Sequence, residues 1–193
     1  MRKRRLVGVL IFAIPALLAA MAIAVAGDSD KNRFNSNRMN SFQEVATLVT
    51  TGTGSFTAEL DGDVVRYTLT YSGLEGGTVT QAHLHIGRRA TNGGISAWLC
   101  GGPVLTGPAG TPTCPQPSGS VSGEIRAAQI VGPAGQGVAA MEFSDFLAAL
   151  RAGAVYANVH TTTYGGGEIR GQVNEKGAKQ ADELDDDDED DDD

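Results

Sequence analysis

The sequence predicts an all-β protein: an antiparallel, Greek-key-like β-sandwich or barrel with one short helix. Short runs of alternating apolar and polar residues recur along the chain, and such alternation indicates half-buried strands. Glycine is abundant, with 26 residues, and turn-forming clusters such as Asn92-Gly93-Gly94 separate the runs. Roughly 150 residues lie between two chain ends of unusual composition, which is enough for one domain with a substantial core.

The alternating runs define eight predicted strands. Many short strands joined by glycine-rich turns are typical of antiparallel sandwiches and barrels. The predicted strands span residues 42–50, 54–60, 64–71, 78–86, 95–99, 119–125, 155–161 and 168–173.

One segment has helical periodicity. Apolar residues recur at the i, i+3, i+4 and i+7 positions of residues 142–151, and Gly153 follows as a stop signal. We expect a single short helix that packs across one end of the sandwich.

The first 26 residues have the layout of a secretory signal peptide. A basic start over residues 1–5 precedes an apolar run that ends in Ala24-Val25-Ala26. Cleavage after this pattern would leave a mature chain that begins at Gly27. The run of about 20 apolar residues is also just long enough to span a bilayer as an uncleaved anchor, the one case in which we expect a membrane partner. Either alternative predicts a secreted or extracytoplasmic protein, periplasmic or at the cell surface.

The other end of the chain is a charge run. Eleven of the twelve residues from 182 to 193 are acidic, and like charges at this density repel one another and cannot bury apolar surface. We therefore expect a disordered acidic tail over residues 175–193. A polar linker is predicted over residues 27–39, which leaves 40–174 as the folded domain.

The net charge of −8 comes from the tail. Without the four basic residues of the start and the eleven acidic residues of the tail, the 15 basic and 23 acidic residues of the chain become 11 and 12. The body is near neutral and shows no basic patch, so we expect no nucleic-acid partner.

Cys100 and Cys114 are the only cysteines of the chain. An even number of cysteines in an exported domain predicts a disulfide. A closed loop of this length stabilises the fold by about 3 kcal/mol through loop-closure entropy. The alternative is a pair of metal thiolates, although the spacing fits no zinc motif.

The three histidines fall in two predicted strands. His83 and His85 are two residues apart, so both lie on the strand face opposite the apolar one, and His160 likewise lies opposite the apolar face of its own strand. If the two strands are neighbours, the three imidazoles converge and could bind copper or zinc with a position left open for water. The alternative is that they are structural residues that hydrogen-bond to neighbours beneath a loop.

The tetrapeptide Gly-Glu-Ile-Arg occurs twice, at residues 123–126 and 167–170. In both copies the Glu and the Arg lie two residues apart on one strand face, on either side of an inward-facing Ile. We interpret the string as a common strand-edge pattern that occurs twice.

Several segments, taken together and in order, resemble the CHRD domain, a module first named from chordin and found widely in bacterial exported proteins. They span residues 41–45, 51–54, 82–87, 92–94, 156–161 and 166–172. The resemblance covers nearly the whole body of the chain, and an internal cysteine pair is typical of a bacterial subset. It implies a β-sandwich extracellular module, with Asn158, Glu168 and Arg170 among the motif residues. In animals, such domains belong to proteins that bind growth factors.

We therefore expect a non-catalytic binding or interaction module for an extracellular protein or surface ligand that the sequence does not identify. No cofactor is certain. The alternative is a copper- or zinc-binding protein that uses His83, His85 and His160, with Glu168 or Tyr164 assisting. A third class is a superoxide-dismutase-like oxidoreductase, because the His-x-His strand is similar to the copper-ligand strand of copper-zinc superoxide dismutases. Those enzymes need a further bridging histidine, which this chain lacks.

Overall fold

A computed structural model describes residues 32–176, in which eight strands and one α-helix are present. The helix is α1 (Phe143–Arg151). The strands are β1 (Arg33–Asn40), β2 (Thr53–Asp61), β3 (Val64–Ser72), β4 (Val79–Ile86), β5 (Ile95–Gly101), β6 (Gly119–Ile125), β7 (Val155–Thr161) and β8 (Ile169–Glu175).

All eight strands form one antiparallel sheet in the order β5-β4-β7-β8-β1-β2-β3-β6. The sheet curls into a nearly closed barrel that brings β5 and β6 towards each other. The Tyr67 hydroxyl of β3 donates a hydrogen bond to the Leu99 carbonyl of β5 at 2.6 Å and so links the two sides of the gap. The prediction of an all-β, antiparallel fold with one short helix is confirmed.

The inward-facing residues of the strands fill the barrel. Each large apolar side chain that is fully buried contributes about 1.5–3 kcal/mol to the stability of the fold. At one end, α1 adds Phe146 and Leu150 to this core, as its i, i+4 spacing requires. Among the core side chains with at most 1% of their surface exposed are Phe34, Phe56, Leu69, Leu84, Leu99, Val159 and Ile169.

The predicted disulfide is confirmed. Cys100, at the end of β5, is bonded to Cys114 across a separation of 14 residues, and both cysteines are buried against the core. The disulfide holds the long connection between β5 and β6 against the edge strand β5.

Two predicted elements are corrected. Residues 33–39, predicted as linker, belong to β1 (Arg33–Asn40), which lies between β8 and β2 in the sheet. Its pairing shifts between Ser36 and Met39, so the alternation that identifies a strand is interrupted. Residues 42–50, read as a strand, begin with a 3-10 turn and continue as a loop. Phe42 and Val49, two of the apolar residues of this segment, are 63% and 81% exposed.

The expected signal peptide, the start of the linker and nearly all of the acidic tail lie outside the described residues 32–176. Within that range, no helix combines the length and the hydropathy that a membrane crossing needs.

Candidate metal centre

The outward faces of β4 and β7 bring the three histidines together. The two strands are antiparallel neighbours, with His83 paired to Asn158, and His160 lies two residue pairs further along, opposite Gln81. Side chains that are diagonal neighbours on one sheet face are within reach of one another. One nitrogen from each of the three rings lies within 4.8 Å of the others, so the condition set by the sequence is met.

The cluster is covered. His83, His85 and His160 expose 0%, 7% and 5% of their surface, although they lie on the outside of the barrel. The ring centres of His83 are 5.4 Å from His85 and 5.0 Å from His160. Loops on the outside of the sheet therefore turn this face into a second, polar interior.

Backbone carbonyls fix the tautomers of two rings. Nδ1 of His85 lies 3.0 Å from the Gly93 carbonyl, and Nδ1 of His160 lies 3.1 Å from the Gly165 carbonyl. A carbonyl only accepts, so each Nδ1 carries the proton and each Nε2 presents a lone pair. A histidine that ligates a metal almost always donates its other ring nitrogen to such a partner.

His83 contacts the other two rings. Its Nδ1 lies 3.2 Å from Nε2 of His160, to which it donates when both rings are neutral. The Nε2 atoms of His83 and His85 are both buried and have no hydrogen-bond partner among residues 32–176. A buried polar atom left without a partner is costly, so two such atoms in one cluster need an explanation.

Burial also keeps the rings neutral. Desolvation lowers the pKa of His83 to about 2, helped by the neighbouring His160 and His85. It lowers the pKa values of His85 and His160 to about 4, although the carbonyl contacts of Gly93 and Gly165 oppose the shift. Neutral imidazole is the form that binds metals.

Aromatic rings pack around the cluster. Trp98 of β5 meets the His83 ring edge-on, with the ring centres 4.3 Å apart. Tyr156 of β7 stacks on His85 at 4.8 Å with nearly parallel planes. These contacts restrict the rings and keep water away from their lone pairs.

A second set of polar residues continues this face onto β8. The Arg170 guanidinium lies over the Tyr156 ring at 3.5 Å from its centre and donates to the Arg88 carbonyl at 2.8 Å. Asn158 donates from Nδ2 to the Glu44 carboxylate at 2.6 Å and to the Ile169 carbonyl at 2.9 Å. The polar face is thus continuous from His83 to Glu44.

Gly167 leaves the space in which Glu44 and Asn158 approach each other. At Gly167, φ is 129°, and a Cβ there would come within 2.5 Å of Asn158 and 2.7 Å of Glu44. Only glycine leaves room for this hydrogen bond. Burial raises the pKa of Glu44 to about 7, while the Asn158 hydrogen bond and the Arg170 charge act in the other direction.

Glu168, expected as a family-motif residue and, in the metal-binding alternative, as an assisting group, forms its hydrogen bonds elsewhere. Its carboxylate accepts from the backbone N–H groups of Glu75 and Gly76, at 2.6 Å and 3.0 Å, and from the Thr161 hydroxyl at 2.9 Å. These contacts tie the β3–β4 loop to the start of β8. The metal-ligating group found within residues 32–176 consists of the three histidines alone.

Sequence reasoning did not assign a role to Glu44, Trp98 or Tyr156. Tyr156 shares the strand face of His160, so alternation could have placed it near the cluster. Trp98 is the only tryptophan of the chain. Glu44 carried no such signal, because the segment around it was read as a strand.

Three neutral, converging imidazoles can hold a borderline metal ion such as zinc or copper. Ligands of a tetrahedral zinc ion with bonds of 2.0–2.1 Å are about 3.4 Å apart. The distance of 3.2 Å between Nδ1 of His83 and Nε2 of His160 is already close to this value. One nitrogen from each of the three rings lies within 4.8 Å of the others, so only a small movement of the rings would bring them to ligand spacing.

The family profile of the CHRD domain matches residues 36–173. Searches of curated proteins and of solved structures gave no significant match. The matched range contains all three histidines, both cysteines and the three motif residues Asn158, Glu168 and Arg170. The chain belongs to the CHRD domain family.

Proposed function

We propose that the protein is an exported, non-catalytic binding module that holds one copper or zinc ion through His83, His85 and His160. One observation carries the proposal: the three buried rings converge, and two of their nitrogens have no partner. In a purely structural cluster these atoms would be expected to find hydrogen bonds within the protein.

The arrangement around the rings supports the same function. The carbonyls of Gly93 and Gly165 fix Nε2 of His85 and His160 as the lone-pair nitrogens, and the His160 Nε2 would exchange its contact with Nδ1 of His83 for a metal. Among the described residues, the Nδ1 of His83 has a hydrogen bond with His160 and with no backbone carbonyl, so either nitrogen of the His83 ring can serve as the metal ligand. The neutrality of all three rings removes the competition between proton and metal near neutral pH.

Export is part of the proposal and is supported by the disulfide between Cys100 and Cys114, because such bonds persist in oxidising compartments. The partner would be an extracellular protein or surface ligand. A bound ion would fix the loops that carry Gly93 and Gly165, and so stabilise the surface that they form.

Calorimetric titration of the full chain with zinc and with copper tests the proposal. Excess calcium is included, since it occupies carboxylates of the acidic tail and not imidazoles. We expect one ion per chain. The variants His83→Ala, His85→Ala and His160→Ala should each lose at least about 10–100-fold in affinity, the loss typical even for a residue that only orients a ligand.

Thr57→Ala, an exposed change on the outer face of β2, is the matched control and should leave metal binding unchanged. Because the pKa values of His85 and His160 are lowered to about 4, binding should persist at pH 5. Wild-type affinity no tighter than about millimolar for both metals, or equal affinity in the His variants, would show that the histidines are structural.

A further inference from the structure

A cavity of about 390 Å³ lies beside the 3-10 turn that follows β1. Its apolar wall includes Phe42 and Val45, which are 63% and 37% exposed. Its polar lining includes Arg170 and Gln172 of β8, which expose only 2% and 7% of their surface. Small-ligand sites commonly combine an apolar wall with a few fixed polar groups in this way.

Arg170 has a hydrogen-bonding capacity that the protein does not use. Nη2 donates to the Arg88 carbonyl, and the guanidinium plane is fixed against Tyr156. Nη1 is buried and has no hydrogen-bond partner in the described part of the chain. A planar guanidinium that is held in place with one free edge is suited to a carboxylate.

Gln172 supplies the complementary group. Its Nε2 lies 2.9 Å, 2.7 Å and 3.0 Å from the carbonyls of Gly87, Gly153 and Val155. Carbonyls accept only, so the amide orientation is fixed and Oε1 is an acceptor. That oxygen is buried, and no described residue forms a hydrogen bond with it.

The charge of the cavity favours an anion. Arg170 is cationic, and among the residues that the structure describes Glu44 is the only acidic one that lines the cavity. Burial raises the pKa of Glu44 to about 7, so this carboxyl is only partly ionised at neutral pH. Among the described residues no ion pair joins Glu44 to Arg170, and Arg170 keeps its free edge.

We propose that this cavity binds an N-acylated α-amino carboxylate with an apolar side chain. The carboxylate accepts from Nη1 of Arg170, the adjacent amide N–H donates to Oε1 of Gln172, and the side chain packs against Phe42 and Val45. A neutral amide fits better than a free ammonium group, because the Arg170 guanidinium repels a cation. This chemistry occurs in small N-acyl amino acids and at the carboxyl terminus of any peptide with an apolar last residue.

Calorimetric titration of the full chain in the presence of a metal chelator tests the proposal. N-acetyl-leucine should bind at least about tenfold more tightly than N-acetyl-leucinamide, which keeps the N–H and lacks the carboxylate. A pentapeptide that ends in leucine distinguishes the two sources: tighter binding than N-acetyl-leucine points to a protein terminus, and equal binding to a small molecule. Equal affinity for acid and amide, or no binding of either, would overturn the proposal.

Variants locate the site. Phe42→Ala should weaken N-acetyl-leucine binding about threefold or more, since it removes apolar contact area. Val49→Ala, an exposed apolar change in the same loop that does not line the cavity, is the matched control and should have no effect. Arg170→Lys keeps the charge and removes the fixed edge, so it should weaken binding about tenfold. A circular-dichroism melt shows whether this buried variant is folded, and Phe42→Ala carries the test if it is not.

His83→Ala separates this site from the metal centre. The chelated wild type and the chelated His83→Ala variant should bind N-acetyl-leucine equally. Binding that requires metal, or that is lost with His83, would mean that the carboxylate coordinates an ion at the histidines, and would overturn the cavity assignment. Because the assay contains no free metal, failure of the metal proposal leaves this test unaffected.

Discussion

The two copies of Gly-Glu-Ile-Arg have the same residues and opposite surroundings. The isoleucine is fully buried in both, as Ile125 and as Ile169. In the first copy the polar pair is open to solvent: the side chains of Glu124 and Arg126 are 45% and 46% exposed and form an ion pair at 3.0 Å. In the second copy the same pair, Glu168 and Arg170, is 0% and 2% exposed.

The position in the sheet explains the difference. The first copy ends β6, an edge strand, where Arg66 of β3 pairs with Glu124 at 3.2 Å on an open surface. The second copy begins β8, between β7 and β1, where loops fold over the outward face. There Glu168 receives backbone donors, and Arg170 lies between Tyr156 and the Arg88 carbonyl.

The interpretation of the string as a strand-edge pattern therefore holds for the first copy only. We call the outward side of β4, β7 and β8, together with Glu44 and Trp98, the covered face. The outward side of β1, β2, β3 and β6 is the open face. Outside β1, alternation separates inward from outward residues on both faces, but it contains no information on whether a loop covers the outward ones.

The largest expected effect is at Glu168. Glu168→Gln replaces one acceptor oxygen by an NH₂ group that must face an N–H or hydroxyl donor, so we expect the free energy of unfolding to fall by about 2–4 kcal/mol. Glu124→Gln on the open face should change it by no more than about 0.5 kcal/mol. Urea unfolding followed by fluorescence measures both. Similar losses for the two variants would refute the distinction between the faces.

Glu44, on the covered face, should also make the free energy of unfolding larger at acidic pH than at neutral pH. Its pKa is raised from 4.5 to about 7, so the folded state keeps a proton that the unfolded chain has lost between these values. The stability contributed by protonated Glu44 is full below pH 4.5 and is lost as the pH rises through about 7.

Glu44→Gln should therefore gain stability relative to wild type between pH 4.5 and 8, by up to about 3 kcal/mol. Chemical unfolding at a series of pH values gives this difference directly. Glu59→Gln is the matched control, because the side chain of Glu59 is 59% exposed on the open face. A flat difference curve for Glu44→Gln would mean that the carboxyl is not desolvated.

The smallest expected effect is at Arg126. Its ion pairs with Glu124 and Asp63, at 3.0 Å and 3.6 Å, are exposed, so Arg126→Gln should lower stability by less than about 0.5 kcal/mol. Molar salt should remove even this difference, because it reduces the screening length to about 3 Å. A loss above about 1.5 kcal/mol that persists in molar salt would show that the open face carries more of the stability than its exposure suggests.

The sequence by itself determined most of the barrel. Period-two alternation identified seven of the eight strands, because one buried face imposes a strict pattern on each of them. The helical spacing over residues 142–151 identified α1, and the single pair of cysteines identified the disulfide. Strand β1 was not identified, because its irregular pairing breaks the alternation at the point where Ser36 and Met39 fall.

The sequence also placed His83, His85 and His160 on outward faces, but only the tertiary structure decided that they meet and are buried. Strand adjacency depends on sheet order, which joins β4 to β7 across about 70 residues of chain and leaves no local trace in either strand. Covering depends on loops whose carbonyls, at Gly93 and Gly165, contact the rings through backbone atoms that every residue has. For the same reason, two identical tetrapeptides became a solvated ion pair and part of a polar interior: local sequence sets which way a side chain points, and distant segments set what it meets there.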